Sequence, residues 1–281
     1  MPSLLSDITT RLVSTSDTPA LDSSVLIAHI ANKSRSWVMA HPELELTTKQ
    51  QKQLEDSLSR LERGESFPYV LGHWEFFGLD FNITPDVLIP RPETELLVEK
   101  AITWLKKNPS KRSVADVGTG SGAIAISIAV NIPDGKILAT DISPKALQIA
   151  AQNAAKHKAN SKIKFMECDL LPQTNADPHL SIDLLCANLP YIPTKTLHTL
   201  SVYKREPTLA LDGGQDGFDL IRRLMNMAIP YLAPNAMMLF EIDSTLGKEA
   251  LQIANQIFPS AKTQVHQDLT GRDRLLQIEL S

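Results

Sequence analysis

Ser113-Val114-Ala115-Asp116-Val117-Gly118-Thr119-Gly120-Ser121-Gly122-Ala123-Ile124-Ala125-Ile126 decides how this 281-residue chain folds. An apolar run enters a glycine-rich turn and leaves on small and aliphatic residues, which reads as strand, tight turn and helix. Glycines reach backbone angles closed to other residues and let a ligand approach the main chain. The next strand, Lys136-Ile137-Leu138-Ala139-Thr140, ends on Asp141, about 20 residues on, where a carboxylate can hold both hydroxyls of a ribose. This pair predicts an adenosine-type cofactor against Gly118, Thr119, Gly120, Ser121, Gly122 and Asp141. Asp169, after the run Ile163–Cys168, is expected to meet the adenine amino group, with Leu170 packing on the ring.

Outward from that turn, strand-like and helix-like runs alternate. Strands are predicted at 113–118, 136–141, 162–168, 182–187, 236–242, 261–267 and 272–279. Helices are predicted at 93–107, 121–131, 144–157, 216–232 and 245–257. The alternation predicts an α/β fold, a mostly parallel sheet with helices on both faces. Residues 1–71 carry only helical spacing: Leu4, Leu5, Ile8 and Leu12 form one stripe, and Leu21, Val25, Leu26, Ala28, His29 and Ile30 another. Thr47 or Thr48 is placed to cap a helix that carries Leu54, Leu58 and Leu61 and ends near Gly64. Residues 72–92 alternate at period two around Gly78 and then meet Pro85, Pro90 and Pro92, a hairpin with a stiff linker. Three parts follow: a helical module over 1–71, the hairpin and linker over 72–92, and an α/β domain over 93–281. Arg91, Glu93 and Glu95 are read as belonging to a loop on the substrate side.

A second stretch carries chemistry. Ser181-Ile182-Asp183-Leu184-Leu185-Cys186-Ala187 reads as a strand buried on both faces, and Asn188-Leu189-Pro190-Tyr191 would leave its carboxyl end, where open α/β sheets bind ligands. The Asn188 side-chain oxygen can accept one N–H, and the Leu189 carbonyl, held extended before proline, can accept another. Tyr191 offers a flat face. The four residues suit the capture of a planar nitrogen nucleophile, so they are the candidate catalytic and substrate-binding set. His29, His41, His73 and Trp37 are expected to be structural.

Composition excludes other classes. Hydrophobic residues make up 43% and charged residues 21%, as in soluble globular proteins, and the net charge of −4 gives no basic surface for nucleic acid. Cys168 and Cys186, both in apolar runs, are expected to be buried free thiols, with no disulfide and no metal site. The start of the chain shows neither a leader pattern nor an 18-residue apolar run, so a cytoplasmic protein with no membrane partner is expected.

Gly118-x-Gly120-x-x-Ala123 also satisfies the dinucleotide fingerprint, which keeps an NAD-dependent dehydrogenase open. Asp116 suits a site carrying a cation, such as the sulfonium of S-adenosylmethionine, better than one receiving a pyrophosphate. The motifs Asp116–Gly122, Asp141 and Asn188-x-Pro-Tyr191 together resemble the class I S-adenosylmethionine-dependent methyltransferases that modify amino or amide nitrogens. Tyr69–Gly72, Phe76–Phe81, Val87–Val98, Glu206–Gly217 and Leu269–Arg274 narrow the resemblance to the peptide chain release factor glutamine methyltransferases, the HemK/PrmC family. That resemblance implies a Rossmann-like, seven-stranded domain, S-adenosylmethionine as cofactor with S-adenosylhomocysteine as product, and methylation of the glutamine nitrogen in the Gly-Gly-Gln motif of a release factor. It also implies that the N-terminal helices hold the protein substrate. The cofactor role carries over to Gly118–Gly122, Asp141, Leu170 and Asn188, and the substrate role to Asn188–Tyr191. Leu189 stands where the family usually has proline. Asn-Leu-Pro-Tyr also occurs in ribosomal RNA adenine dimethyltransferases; the alternative acceptors are another protein glutamine and a nucleic-acid adenine.

Overall fold

The computed structural model describes residues 4–173, 180–200, 203 and 205–281; Met1 to Ser3, part of the start read above, lie outside them. The chain divides into compact units Met1–His73 and Trp74–Ser281. The first unit is helical: α1 Leu4–Leu12, α2 Pro19–Ala31, α3 Arg35–Ala40, α4 Thr48–Glu62 and α5 Phe67–Leu71. Thr47 caps α4 in a reciprocal box, its hydroxyl accepting from Gln50 N while the Gln50 side chain accepts from Thr47 N. The stripe expected on α2 is rotated. Leu21 and His29 are exposed, and the buried face is Ser23, Ser24, Leu26, Ile27, Ala28 and Ile30. The two serines tolerate burial because each hydroxyl bonds a carbonyl one turn back, of Ala20 and Leu21. Trp37 and His41 stack with centroids 4.0 Å apart.

In the second unit, β1 His73–Phe76 and β2 Leu79–Asn82 form the hairpin, β1 starting at the boundary. Both turn residues, Phe77 and Gly78, have positive φ (52° and 70°), the twist a two-residue hairpin favours. Then come α6 Glu95–Lys107, β3 Ser113–Val117, α7 Ala123–Asn131, β4 Lys136–Asp141, α8 Pro144–Lys156, β5 Ile163–Glu167, β6 Ile182–Ala187, α9 Thr194–Leu197, α10 Asp219–Ala228, β7 Leu232–Glu241, α11 Gly247–Ile257, β8 Lys262–Gln267 and β9 Asp273–Glu279. Among the described residues, seven strands form one sheet in the order β5-β4-β3-β6-β7-β9-β8. Strands β3 to β7 run parallel, and β9 is antiparallel to both neighbours. The expected α/β class holds.

One boundary and one burial are corrected for stated reasons. β7 begins at Leu232, not 236, because its pairing with β6 jumps from Leu232 to Met237 across Pro234 and the left-handed Asn235; proline and a positive φ hide the strand from a periodicity argument. Cys168, expected to be buried, is partly exposed just past β5, an edge strand with one side unpaired. Cys186, in the sheet centre, is buried and free.

The topology fixes the site. From β3 the chain steps outward through β4 to β5, then returns to the other side of β3 as β6, so the order reverses between β3 and β6. Ligands bind at such a switch point, beyond the carboxyl ends of the strands. Val117 pairs with Ala187 in register, so Gly118 and Asn188 leave the sheet side by side.

Candidate active site

A cavity of about 520 Å³ opens at that switch point, a size suited to a nucleoside-bearing small molecule. Gly118, Thr119, Gly120, Ser121, Asp141, Asp169, Leu170, Asn188, Leu189 and Pro190 line it, so ten of the residues singled out from sequence converge. Gly122 and Tyr191 are not among the lining residues. Gly122 sits in the left-handed region (φ 83°), where a Cβ would come within 2.8 Å of Ile126 Cδ1 and 3.2 Å of Ala150. Its absent side chain lets α7 begin and pack closely against α8, a different duty from cofactor contact.

Asp116 also departs from expectation. It is wholly buried and outside the cavity lining; its Oδ2 accepts from Thr119 Oγ1 at 2.6 Å and from Ala125 N at 3.1 Å. It therefore braces the glycine turn from beneath instead of facing a cation. Burial pushes its carboxyl up to about 7; the bonds from Thr119 and Ala125 oppose the shift, and nearby Asp141 adds to it. Asp141 itself grips the turn from the rim, its oxygens accepting from Gly120 N and Ser143 N at 2.9 Å each. A carboxylate has about four lone-pair sites, so capacity for two hydroxyl donors remains. Asp169 carries an ion pair to Arg223 at 2.7 Å, an engagement the sequence did not signal. Leu170 is held at positive φ (66°), its carbonyl accepting from Thr140 Oγ1 at 2.6 Å.

At the β6 end, Asn188 Nδ2 donates to Thr94 Oγ1 at 3.0 Å, which leaves Oδ1 to act as acceptor. Leu189 is nearly buried and packs on the glycine turn; a Cβ at Gly118 would lie 2.9 Å from Leu189 Cδ2. Tyr191 Oη donates to Glu241 Oε1 at 3.2 Å. The loop after α9 clamps the Tyr191 main chain. Ile192 N donates to Leu211 O, Gly213 N donates to Ile192 O, and a Cβ at Gly213 would approach Tyr191 Cα to 2.6 Å. Arg91 and Glu95, read from sequence as part of a substrate-side loop, are engaged within the protein: Arg91 pairs with buried Glu206, although it also borders the cavity, and Glu95 Oε1 accepts from Phe77 N at 2.8 Å. Thr94, Ile142, Leu209 and Arg223 also line the cavity without having been foreseen. Only the Val87–Val98 and Glu206–Gly217 motifs pointed near two of them.

Among the described residues, no group of three or more His, Cys, Asp or Glu is placed to hold a metal, and no helix is long and apolar enough to cross a membrane.

Comparison with known proteins adds a second line of argument. The sequence pattern described as the PrmC N-terminal domain matches residues 3–72, and one described as a methyltransferase domain matches residues 108–228. The chain is 39% identical to a release factor glutamine methyltransferase of Moorella thermoacetica over 91% of this chain and 89% of that protein. It is 42% identical to one of Coxiella burnetii over 84% and 83%. The fold is similar to that of an S-adenosylmethionine-dependent methyltransferase from Agrobacterium tumefaciens, with a TM-score of 0.52 and 12% identity over 75% of this chain and 71% of that one; that likeness concerns architecture alone.

Proposed function

The chain belongs to the release factor glutamine methyltransferases, and from that premise we propose that it transfers a methyl group from S-adenosylmethionine to the side-chain nitrogen of the glutamine in the Gly-Gly-Gln motif of a peptide chain release factor. The dehydrogenase reading falls away with the family assignment. The residues present fit the cofactor: Gly118 and Gly120, at φ 75° and 55°, border the cavity with no side chain of their own, and Asp141 stands at the rim for the ribose. Bound S-adenosylmethionine supplies a methyl group on a cationic sulfur.

An amide nitrogen is a weak nucleophile because its lone pair is delocalised into the carbonyl, so the protein's task is placement. Asn188 Oδ1 and the Leu189 carbonyl accept the two N–H bonds of the glutamine amide and aim its nitrogen into the cavity. Such positioning can be worth several kcal/mol, roughly 7–11 in the best intramolecular cases. As the nitrogen gains positive charge, both acceptors bind it more strongly, which favours the transition state over the ground state. The nitrogen keeps the methyl group and gives up one proton to solvent, and the sulfur departs as the neutral thioether of S-adenosylhomocysteine. No covalent intermediate with the protein is required.

The observation that carries this reading is the adjacency of Gly118 and Asn188, set by the β3–β6 register. Incubating the protein with isotope-labelled S-adenosylmethionine and an intact release factor, then mapping the label by mass spectrometry, tests it. Label on the Gly-Gly-Gln glutamine is expected. In a parallel incubation with RNA in place of the release factor, label on an adenine would return the adenine reading.

A further inference from the structure

The Leu269–Arg274 motif has no part in the reaction as described. It joins β8 to β9, and β9 runs antiparallel to β7, with Leu275 opposite Glu241 and Arg274 O accepting from Ile242 N at 2.9 Å. The loop 268–272 therefore emerges at the carboxyl edge of the sheet, the edge at which Asn188–Tyr191 leaves β6. β9 stands two strands from β6 in the sheet order, about 10 Å away at the usual strand spacing. Glu241, which ends the strand between them, accepts from Tyr191 Oη at 3.2 Å.

The loop is tightly tied and displays an apolar side chain. Asp268 N donates to Arg272 O at 2.9 Å, and Gly271, at φ 79°, makes the turn, its N–H reaching Asp268 O at 2.9 Å. The Asp268 carboxylate binds the turn from within. Its Oδ1 accepts from Thr270 N at 2.9 Å, Thr270 Oγ1 at 2.6 Å and Arg272 N at 3.2 Å, and its Oδ2 pairs with Arg274 at 3.4 Å. Those bonds, the Thr270 hydroxyl first, hold the Asp268 carboxyl down to about 2 against the desolvation that would raise it. Leu269 is left outside, fully exposed, the most exposed of the large hydrophobic residues described. Arg272 is exposed in the same loop, and among the described residues no ion pair engages it.

Lone exposed leucines are ordinary on a protein surface. This one is held out by an ordered turn, and an anchor ordered beforehand gives up less conformational freedom on binding than a mobile one. A glutamine side chain is short, so the protein that carries it must come down onto this edge of the sheet. A standard interface covers about 800 Å² on each partner, a patch roughly 16 Å in radius if round. Centred on Asn188, such a patch reaches the β8–β9 loop, and it takes in Leu209, which is also exposed and borders the cavity.

We propose that the β8–β9 loop is a docking element for the release factor: Leu269 is its anchor and seats in an apolar recess beside the Gly-Gly-Gln loop, with a carboxylate of the factor facing Arg272. This rests on the function proposed above. The loop takes no part in methyl transfer, and none of its residues lines the cofactor cavity. It adds affinity for the intact protein and so helps to select one glutamine among many.

The test is steady-state kinetics on an intact release factor and on a short Gly-Gly-Gln peptide, with calorimetry for S-adenosylmethionine, thermal melting and sedimentation on the same samples. Leu269→Ser is expected to raise the KM for the intact factor about tenfold, the scale of one leucine side chain withheld from an interface. Its kcat should stay near the wild-type value, because the lost contact is the same in ground and transition states. Leu269→Met, which keeps the apolar bulk, should hold most of the affinity. Arg272→Glu should also raise the KM, more at low salt than at high. Cofactor affinity and melting temperature should not move in Leu269→Ser, since a fully exposed side chain supports no packing. Turnover of the peptide, which lacks the surrounding protein surface, should not move either. Wild-type KM in Leu269→Ser would overturn the proposal, as would an equal loss on peptide and intact factor, which would put the loop in the chemistry. A wild-type dimer that Leu269→Ser makes monomeric, with KM unchanged, would give the loop to a second copy of this chain instead. If the peptide reacts too slowly to read, KM against kcat on the intact factor decides. Failure of the wild-type protein to methylate the glutamine would remove the functional reading, an outcome visible before any variant is made.

Discussion

At the scale of single residues, the site separates groups that face the cavity from groups that hold those facing it. Asn188 faces it, so Asn188→Ala should slow methyl transfer by about a hundredfold, on the order of 3 kcal/mol, while cofactor affinity falls far less. Kinetics beside calorimetry read this directly; unchanged turnover would take Asn188 out of the mechanism. Asp141→Ala should do the reverse and weaken S-adenosylmethionine binding first. Asp116 belongs to the holding class. Its carboxyl titrates near 7 in the folded protein against an ordinary value of 3.8, so the native state binds the extra proton between those values. The stability it contributes is fully present below the lower value and is lost as pH rises through the upper one, at roughly 1.4 kcal/mol per pH unit inside the window. Asp116→Asn, neutral throughout, should therefore gain on the wild type between about pH 4 and pH 7 in denaturant melts. A stability difference independent of pH over that range would contradict the assignment.

At the scale of elements, the loop 211–217 acts on the active tetrapeptide through backbone contact. A Cβ at Gly217 would lie 2.4 Å from Tyr191 O, on a backbone at φ 83° that side chains rarely adopt. Gly217→Ala should push the Tyr191 main chain aside, cost about 1–3 kcal/mol in stability, and lower kcat more than it raises the KM for S-adenosylmethionine. A variant with normal turnover and a normal melt would show that the loop yields at no cost. Leu189→Pro, by contrast, keeps the carbonyl that accepts the second N–H, so most of the rate should survive in the same assay. Here the sequence was only partly readable. Glycines in a Glu206–Gly217 motif signalled a conformational demand, but that the demand was close approach to Tyr191 depends on a partner distant in the chain.

At the scale of the whole molecule, two compact units raise the question of what the helical one adds. A glutamine side chain offers little surface to recognise, so discrimination among proteins must come from contacts remote from the reacting nitrogen, and remote binding energy also serves to position it. A chain shortened to residues 74–281 should still bind S-adenosylmethionine yet methylate an intact release factor far more slowly than the full chain. The two should differ little on a short Gly-Gly-Gln peptide. Equal rates on the intact factor would deny residues 1–73 a part in recognition.

The amino-acid sequence by itself determined the α/β class, the glycine turn, Asp141 and the Asn188–Tyr191 strand end, because each depends on local backbone freedom, periodicity or residue chemistry. It also carried the Thr47 cap, whose partner lies three residues away. It could not supply the burial of Asp116 beneath the turn, the rotation of the α2 face, the ion pair between Asp169 and Arg223, or the placing of Thr94 against Asn188 and of Glu241 against Tyr191. Those depend on which segments the tertiary fold brings together, helix packing for α2 and the sheet order for the rest. The β3–β6–β7 register sets Gly118, Asn188 and Glu241 side by side at one edge, and desolvation there gives a carboxyl or a hydroxyl a duty that its own neighbours in the chain do not reveal.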